Sequence, residues 1–578
     1  MKKIKISDSN FSSDYYSLDY FYANPLEGQE LCRKLFTKVF DENYEPYTLK
    51  GLFFTSINRY FLADIKLLEH PFIIKNIIDF CAKNDINKIE FSLHKLNVEV
   101  YNFYSDSLKL HHIETELQLH NEIVFWKNSL TKESIALQIQ NAINKCLLII
   151  VQTFLLLFNS VFLKKTKFPN KIVFWHSFAN NREKIDYPFL DNLSKNVTVI
   201  HPNPYLFKSK SNWNKSIYLL GKLSINPMLF FTTLLKLTSF RENFNLLLNE
   251  FSEEIPFLPK KWNSSSITKT FFFFVYNLLE NGLLENIARQ SNLKSVNVFR
   301  GGSAAGLIYS GCCKIKYSNN NMINLLVPHG TEFNIIDHFS YFFLDYNLLP
   351  SESIKENWEA QLKDNYQYLQ KHNNFELIAS GRIDYQLLKI RDNTLKENKK
   401  QLTIGIVLTY NSESYQDTYI KDVIDCFENA FGKDMCTFII KPRPNIVFQS
   451  NNYISKNVMV TEGDIYEFMD QIDIVIGTVS TYGILTMVVT DGIYCNLPGL
   501  YYLPNPKFNK NNLGYSYHNS MEDYTFNDKK SLSNFINSYN NSSDFISQLW
   551  SRNLKTKSYL TFDKDANLFL EEFIISKI

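Results

Sequence analysis

The stretch from 402 to 500 constrains the fold most. It alternates short apolar, β-branched runs with helical spacing and leaves few residues between them. Leu402–Leu408 (LTIGIVL), Thr437–Ile440, Val458–Thr461 and Ile472–Ile476 have the length and residue types of buried strands. Ile420–Phe431 and Asp464–Met469 carry helical spacing. Strands and helices in alternation on short connections predict a doubly wound parallel sheet. Inside it, Gln471–Gly492 (QIDIVIGTVSTYGILTMVVTDG) reads as a strand broken at Gly477-Thr478, then a helix that opens at Ser480-Thr481 and runs through Ile484, Leu485, Val488 and Val489. A strand, a small-residue turn and a helix N-terminus gather free backbone N–H groups and the positive end of the helix dipole, which suits an anion. Taken alone, the stretch reads first as an ordinary βα unit.

A looser version of the alternation covers about 170–330. Its strands are Lys171–Trp175, Val197–Ile200, Val296–Phe299 and Asn324–Val327. Val296–Phe299 runs into Arg300-Gly301-Gly302-Ser303, and Asn324–Val327 ends at Pro328-His329-Gly330-Thr331-Glu332. The expected fold class is therefore α/β, with two Rossmann-like doubly wound lobes and a cleft between them. Residues 334–375 read as mostly helical, and Glu376–Ser380 as a strand. Toward the N-terminus, Gly51–Phe91 reads as β-α-β, with strands Gly51–Ser56 and Lys88–Phe91 around a helix over His70–Lys83. Glu114–Lys145 reads as an amphipathic helix, and the polar tail as partly helical.

A length of 578 residues corresponds to three or four domain-equivalents of ~150 residues, ample for large cores. With 61 basic and 59 acidic residues the formal charge is +2, so no global field draws the chain to nucleic acid. Aromatic residues are 15% of the chain, which excludes a disordered protein and fits broad buried layers. The eight cysteines form no CxxC pair and no zinc spacing, so a reducing, cytoplasmic setting is expected. The N-terminus has lysines but no apolar run after them and does not read as a signal peptide. Residues 146–163 (CLLIIVQTFLLLFNSVFL) are the most apolar run, with Gln152, Thr153, Asn159 and Ser160 interrupting it. Three readings fit: a core helix, an interfacial helix on a membrane surface, and a span.

The motifs PHGTE (328–332), SGRIDY (380–385), KPRPN (441–445) and EGDIYEFMDQIDIVIGTVST (462–481) follow one another in an order that resembles the C-terminal half of GT-B glycosyltransferases. The nearest group is the CDP-glycerol glycerophosphotransferase-like, capsule and lipopolysaccharide transferases of bacteria. The resemblance covers roughly 295–500. It implies an acceptor-side lobe over 1–375, with helical insertions at about 110–165 and 205–290, and a nucleotide-donor lobe over 376–520. A helical segment, 521–578, would pack back toward the first lobe. It implies transfer of a sugar from a nucleotide-activated donor to an oligosaccharide or lipid-linked glycan acceptor, on or near the inner face of the cell membrane. The alternatives are a CDP-alditol phosphotransferase of teichoic-acid type, a sugar-nucleotide epimerase, and a non-catalytic polysaccharide-assembly protein. Two departures concern the donor. Leu485-Thr486 stand where many relatives have a ribose-binding glutamate, and Thr490-Asp491-Gly492 replace a Gly-x-Pro after the helix.

Such a reaction leaves a phosphate that needs charge stabilisation from a metal, or from cations and helix N-termini. No Asp-x-Asp metal motif follows a strand, so no metal or other cofactor is expected. The candidate donor residues are Thr478, Ser480 and Thr481 at the helix start, Lys441 and Arg443 as cations, and Thr409, Tyr410 and Asn411 after the first strand of the lobe. His329, with Glu332 near it, is the candidate base. Gly301, Gly302 and Ser303 are candidates for an acceptor or a phosphate, and Arg382 and Asp384 for a secondary contact or a pair that fixes the lobe crossover. Asp464 has the position of a helix N-cap.

Overall fold

A computed structural model of the chain describes residues 2–7, 16–17, 69–94, 98–120, 170–177, 183–200, 287–300, 317–328, 330–334, 343–362, 375–387, 401–409, 413–443, 457–479, 485–504, 516–539 and 541–578, with a few single positions besides. They build three sheets in which every pairing is parallel.

The first sheet holds β1 (Lys2–Ser7), β2 (Tyr16–Ser17), β3 (Ile86–His94) and β4 (Glu114–His120) in the order β2-β1-β3-β4, with helices α1 (Glu69–Asn84) and α2 (Val98–Lys109). It has its own core of Ile6, Ile74, Ile77, Ile89, Phe91, Tyr104 and neighbours. The described residues up to 120 thus form a sheet apart from the lobe sheet that follows. β4 corrects the helix expected from Glu114. The segment ETELQLH alternates polar and apolar, and its exposure alternates likewise over 114–118, which is strand period rather than helix period. Its Glu116 pairs with Lys88 at 2.5 Å across the ladder. The expected strand at 51–56 and the apolar run 146–163 lie outside the described residues.

The second sheet is the N-terminal lobe. It comprises β5 (Lys171–Ser177), β6 (Thr198–Ile200), β7 (Lys294–Arg300), β8 (Met322–Val327), β9 (Tyr346–Leu349) and β10 (Glu376–Ala379), ordered β10-β9-β8-β7-β5-β6. α3 (Glu183–Leu193) follows β5, and α4 (Glu352–Leu362) joins β9 to β10. Within 334–375, expected to be mostly helical, the described residues hold the strand β9 as well as the helix α4. β10 pairs with β9, so it completes this lobe rather than opening the next one, and the boundary falls later than 376. The sheet is buried on both faces, as a parallel sheet requires. Ile172 and Phe174 of β5 face one core, Val173 and Trp175 the other.

The third sheet comprises β11 (Leu402–Val407), β12 (Cys436–Lys441), β13 (Val458–Val460), β14 (Ile474–Gly477), β15 (Gly499–Tyr502) and β16 (Thr525–Phe526), ordered β13-β12-β11-β14-β15-β16. Its helices are α5 (Glu413–Phe431), α6 (Ile465–Gln471) and α7 (Met487–Tyr494). Asp464 caps α6, accepting from the Tyr466 amide at 2.7 Å. Two Rossmann-like lobes are thus present. Three helices follow, α8 (Lys529–Asn537), α9 (Ser542–Leu560) and α10 (Ala566–Lys577). α10 packs Leu570 and Ile574 into the N-lobe core beside Val173, Trp175 and Val296. The chain turns toward it at Gly381, whose φ of +71° lies in the left-handed region and where a Cβ would stand 2.7 Å from Ala566 and Phe562.

Candidate functional site

In each lobe the strand order reverses at one place, and ligands of such sheets bind in the crevice outside the carboxyl ends there. In the C-terminal lobe the reversal lies between β11 and β14. Thr409 follows β11, Thr478 follows β14, and Lys441 ends β12 beside Val407 in register. The structure thus brings these three predicted residues to one sheet edge. Arg443, two residues beyond Lys441, is exposed.

Their chemical states differ. Both threonines are buried. The Thr478 hydroxyl is engaged with the Tyr415 hydroxyl at 2.7 Å. Lys441 is 7% exposed, and its ammonium donates to the Pro442 carbonyl at 3.3 Å. It makes no salt bridge with a described residue. Burial lowers its pKa, and the charges of Asp464 and Glu462 only partly offset that. A largely buried ammonium without an ion-paired carboxylate is the chemistry of an anion site.

The helix after β14 starts later than the sequence suggests. α7 begins at Met487, and Leu485, expected within it, instead pairs with Val479 in an antiparallel bridge. Thr486 is the reason. Its hydroxyl donates to the Thr478 carbonyl at 2.7 Å and accepts from the Thr478 amide at 3.3 Å, and its own amide donates to the Thr478 carbonyl at 3.0 Å. The turn is clamped at its base before the helix begins. Ser480 and Thr481 lie outside the described residues, as do Tyr410 and Asn411. Thr490-Asp491-Gly492 fall inside α7 rather than after it.

In the N-terminal lobe the reversal lies between β5 and β7. Arg300 ends β7, 1% exposed, and forms an ion pair with Asp186 of α3, which also accepts from Trp175 Nε1 at 3.3 Å. Arg300 stands 3.6 Å from Asp384. Asp384 holds Arg382 through both oxygens, at 3.0 and 2.7 Å. Arg382 Nη1 donates to Thr331 at 2.9 Å, Tyr385 at 2.9 Å and Asp491 of α7 at 2.6 Å. Burial opposes the Arg382 charge, yet Asp384 and Asp491 outweigh it and raise its pKa well above the usual value. The sequence places Arg382 and Asp384 together correctly. It gives no sign of Asp186, Arg300 and Asp491 as their partners, because those contacts join segments far apart in the chain.

The turn after β8 is pinned from several sides. Trp358 Nε1 donates to the Glu332 carbonyl at 3.1 Å, Asn357 to the Phe333 carbonyl at 2.6 Å, and Asn334 to the Tyr517 carbonyl at 2.8 Å. Phe333 stacks on His518, which stacks on Tyr559 with centroids 4.1 Å apart. Gly330 lies against α7, where a Cβ would run into the Met487 side chain. His329, Gly301, Gly302 and Ser303 lie outside the described residues. Among the described residues no cluster of His, Cys, Asp and Glu forms a metal site, and no helix is long and apolar enough to cross a membrane.

No family model matches the chain, and no curated protein does. Solved structures do match it. MnaA of S. aureus, solved with UDP, is 12% identical over 70% of this chain and 95% of its own, with a TM-score of 0.39. The UDP-GlcNAc 2-epimerase from Neisseria meningitidis, bound to UDP-GlcNAc, is 10% identical over 70% of this chain and 100% of its own, with a TM-score of 0.34. The glycosyltransferase SnogD from Streptomyces nogalater is 8% identical over 71% of this chain and 100% of its own, with a TM-score of 0.31.

Proposed function

We propose that this chain is a metal-independent GT-B-type glycosyltransferase. It takes a sugar from a nucleotide-activated donor and adds it to a growing bacterial surface glycan, of capsule or lipopolysaccharide type, at the inner face of the membrane. The observation that carries the reading is Lys441, a buried ammonium outside any salt bridge with a described residue, at the C-terminal edge of the third sheet and near its strand reversal. A donor diphosphate supplies the direct ion pair that Asp464 and Glu462, which act on Lys441 only through their charge, do not make, while the turn after β14 supplies backbone donors. The order of the PHGTE, SGRIDY, KPRPN and EGDIYEF motifs supports the surface-glycan assignment. His329, with Glu332, is the proposed base for the acceptor hydroxyl. Thr486 occupies one of the positions equivalent to the donor-ribose glutamate of many such transferases, and its hydroxyl is spent on Thr478. That favours testing a CDP-alditol beside the nucleotide sugars.

The test is a thermal-shift screen of UDP-, GDP-, TDP- and CDP-sugars and CDP-glycerol, with and without EDTA, followed by donor turnover. One nucleotide class raises the melting temperature whether or not EDTA is present. Lys441→Ala weakens its binding by ~10- to 100-fold, the loss of a charge-assisted contact of about 1.5–3 kcal/mol. A protein that no nucleotide stabilises, or a Lys441→Ala variant that binds like wild type, removes the donor site.

A further inference from the structure

α7 meets the N-terminal lobe along one stripe. Met487, Asp491 and Tyr494 stand at i, i+4 and i+7, so they share a helix face. Each touches a turn at the C-terminal edge of the second sheet. Met487 lies against Gly330 after β8. Asp491 accepts from Arg382, after β10, at 2.6 Å. The Tyr494 ring lies on Tyr385 with centroids 3.8 Å apart and planes 20° apart. Arg382 is fixed before it reaches Asp491, because Asp384 grips its other two nitrogens and Tyr385 lies under its guanidinium at 4.1 Å. Just before α7 stands its N-cap residue Thr486, which is tied to Thr478 by three hydrogen bonds. The placement of α7 therefore sets the placement of the turn after β14.

We infer that Arg382 and Asp491 are positioning residues for the donor site. Their ion pair holds α7 against the N-terminal lobe and, through Thr486, holds the Thr478 turn where donor phosphates meet it; this rests on the donor-site reading above. The ion-paired series from Asp186 through Arg300, Asp384 and Arg382 to Asp491 joins the N-lobe strand reversal to that helix. The Thr490-Asp491-Gly492 segment, a departure from the usual sequence of such lobes, is what makes the last link.

Asp491→Asn removes the charge and keeps the shape. Amide hydrogen exchange on the ligand-free full chain, read at Thr478 and Thr486, reports the clamp directly. The variant exchanges these amides about tenfold faster while amides of β11 and β12 stay as in wild type, and it weakens nucleotide binding about tenfold with little change in kcat. Unchanged exchange at 478 and 486, or a uniform rise that includes β11 and β12, overturns the positioning role. So does normal nucleotide affinity in Asp491→Asn alongside weakened binding in Lys441→Ala. If wild type binds no nucleotide, the donor-site reading fails on its own, and the exchange pattern still decides whether the ion pair holds the turn. Should Asp491→Asn fail to fold, Tyr494→Leu, which loosens the same helix face without touching charge, gives the same exchange readout.

Discussion

The carboxyl edges of the two large sheets both carry buried cations, and they use them in opposite ways. In the N-terminal lobe Arg300 and Arg382 are enclosed by Asp186, Asp384 and Asp491, and their charge is neutralised within the protein. In the C-terminal lobe Lys441 has a backbone carbonyl and no ion-paired carboxylate among the described residues. A guanidinium suits the first task, with its planar fork and several donors, and a compact ammonium suits the second. A committed cation sets architecture, whereas an uncommitted one is available to a ligand. Burial and strand position alone do not separate the two; their ion-pair partners do.

The contrast can be broken most sharply at Arg382. Arg382→Ala leaves the half-buried Asp491 without its cation and Asp384 with only Arg300, 3.6 Å away, and lowers stability by about 3 kcal/mol, read by urea unfolding. Lys441→Ala leaves no carboxylate stranded and keeps the wild-type midpoint. Equal losses in the two variants end the distinction. A smaller effect sharpens it through pH. The Lys441 pKa lies below its ordinary 10.5 because burial disfavours the charge. Nucleotide affinity therefore falls as pH rises through a midpoint below 10.5, and Lys441→Arg, which stays protonated, removes that fall. The smallest effect concerns the joint between the lobes. Burial and the Lys555 charge lower the His518 pKa below 6.5, so the fold favours the neutral ring. The unfolded chain then binds the extra proton, and stability is whole above pH 6.5 and declines as pH falls from there through the folded pKa. His518→Phe keeps a ring between Phe333 and Tyr559 and flattens that slope in a pH series of melting temperatures.

Much of the third sheet was legible from the chain. β11, β12 and β14 are buried along most of their length, so their residues form largely apolar runs, and Asp464 announces α6 as its cap. The helix after β14 was misplaced because Ser480 and Thr481 are better cap types than a threonine six residues on, while the actual start depends on Thr486 bonding back to Thr478. That is a tertiary choice between equivalent local signals. β9 leaves no clear mark in the sequence, because four residues give too short a period to separate from flanking helix. That Lys441, Thr409 and Thr478 share one sheet edge is legible because Lys441 ends a strand and the two threonines follow one, and strand ends are a local property. Asp186, Arg300 and Asp491 were not grouped, since ion pairing across distant segments leaves no mark on local spacing.

One packing detail bears on how the chain reaches this shape. α10 seals a face of the second sheet, yet in the chain it follows the whole of the third. While the ribosome is still working through the C-terminal lobe, Trp175, Val173 and Val296 have no cover from Leu570 and Ile574. The earlier lobe is finished after the later one, so the two are not independent beads. The uncovered interval is when a nascent chain of this kind is most exposed to wrong partners and most dependent on a chaperone.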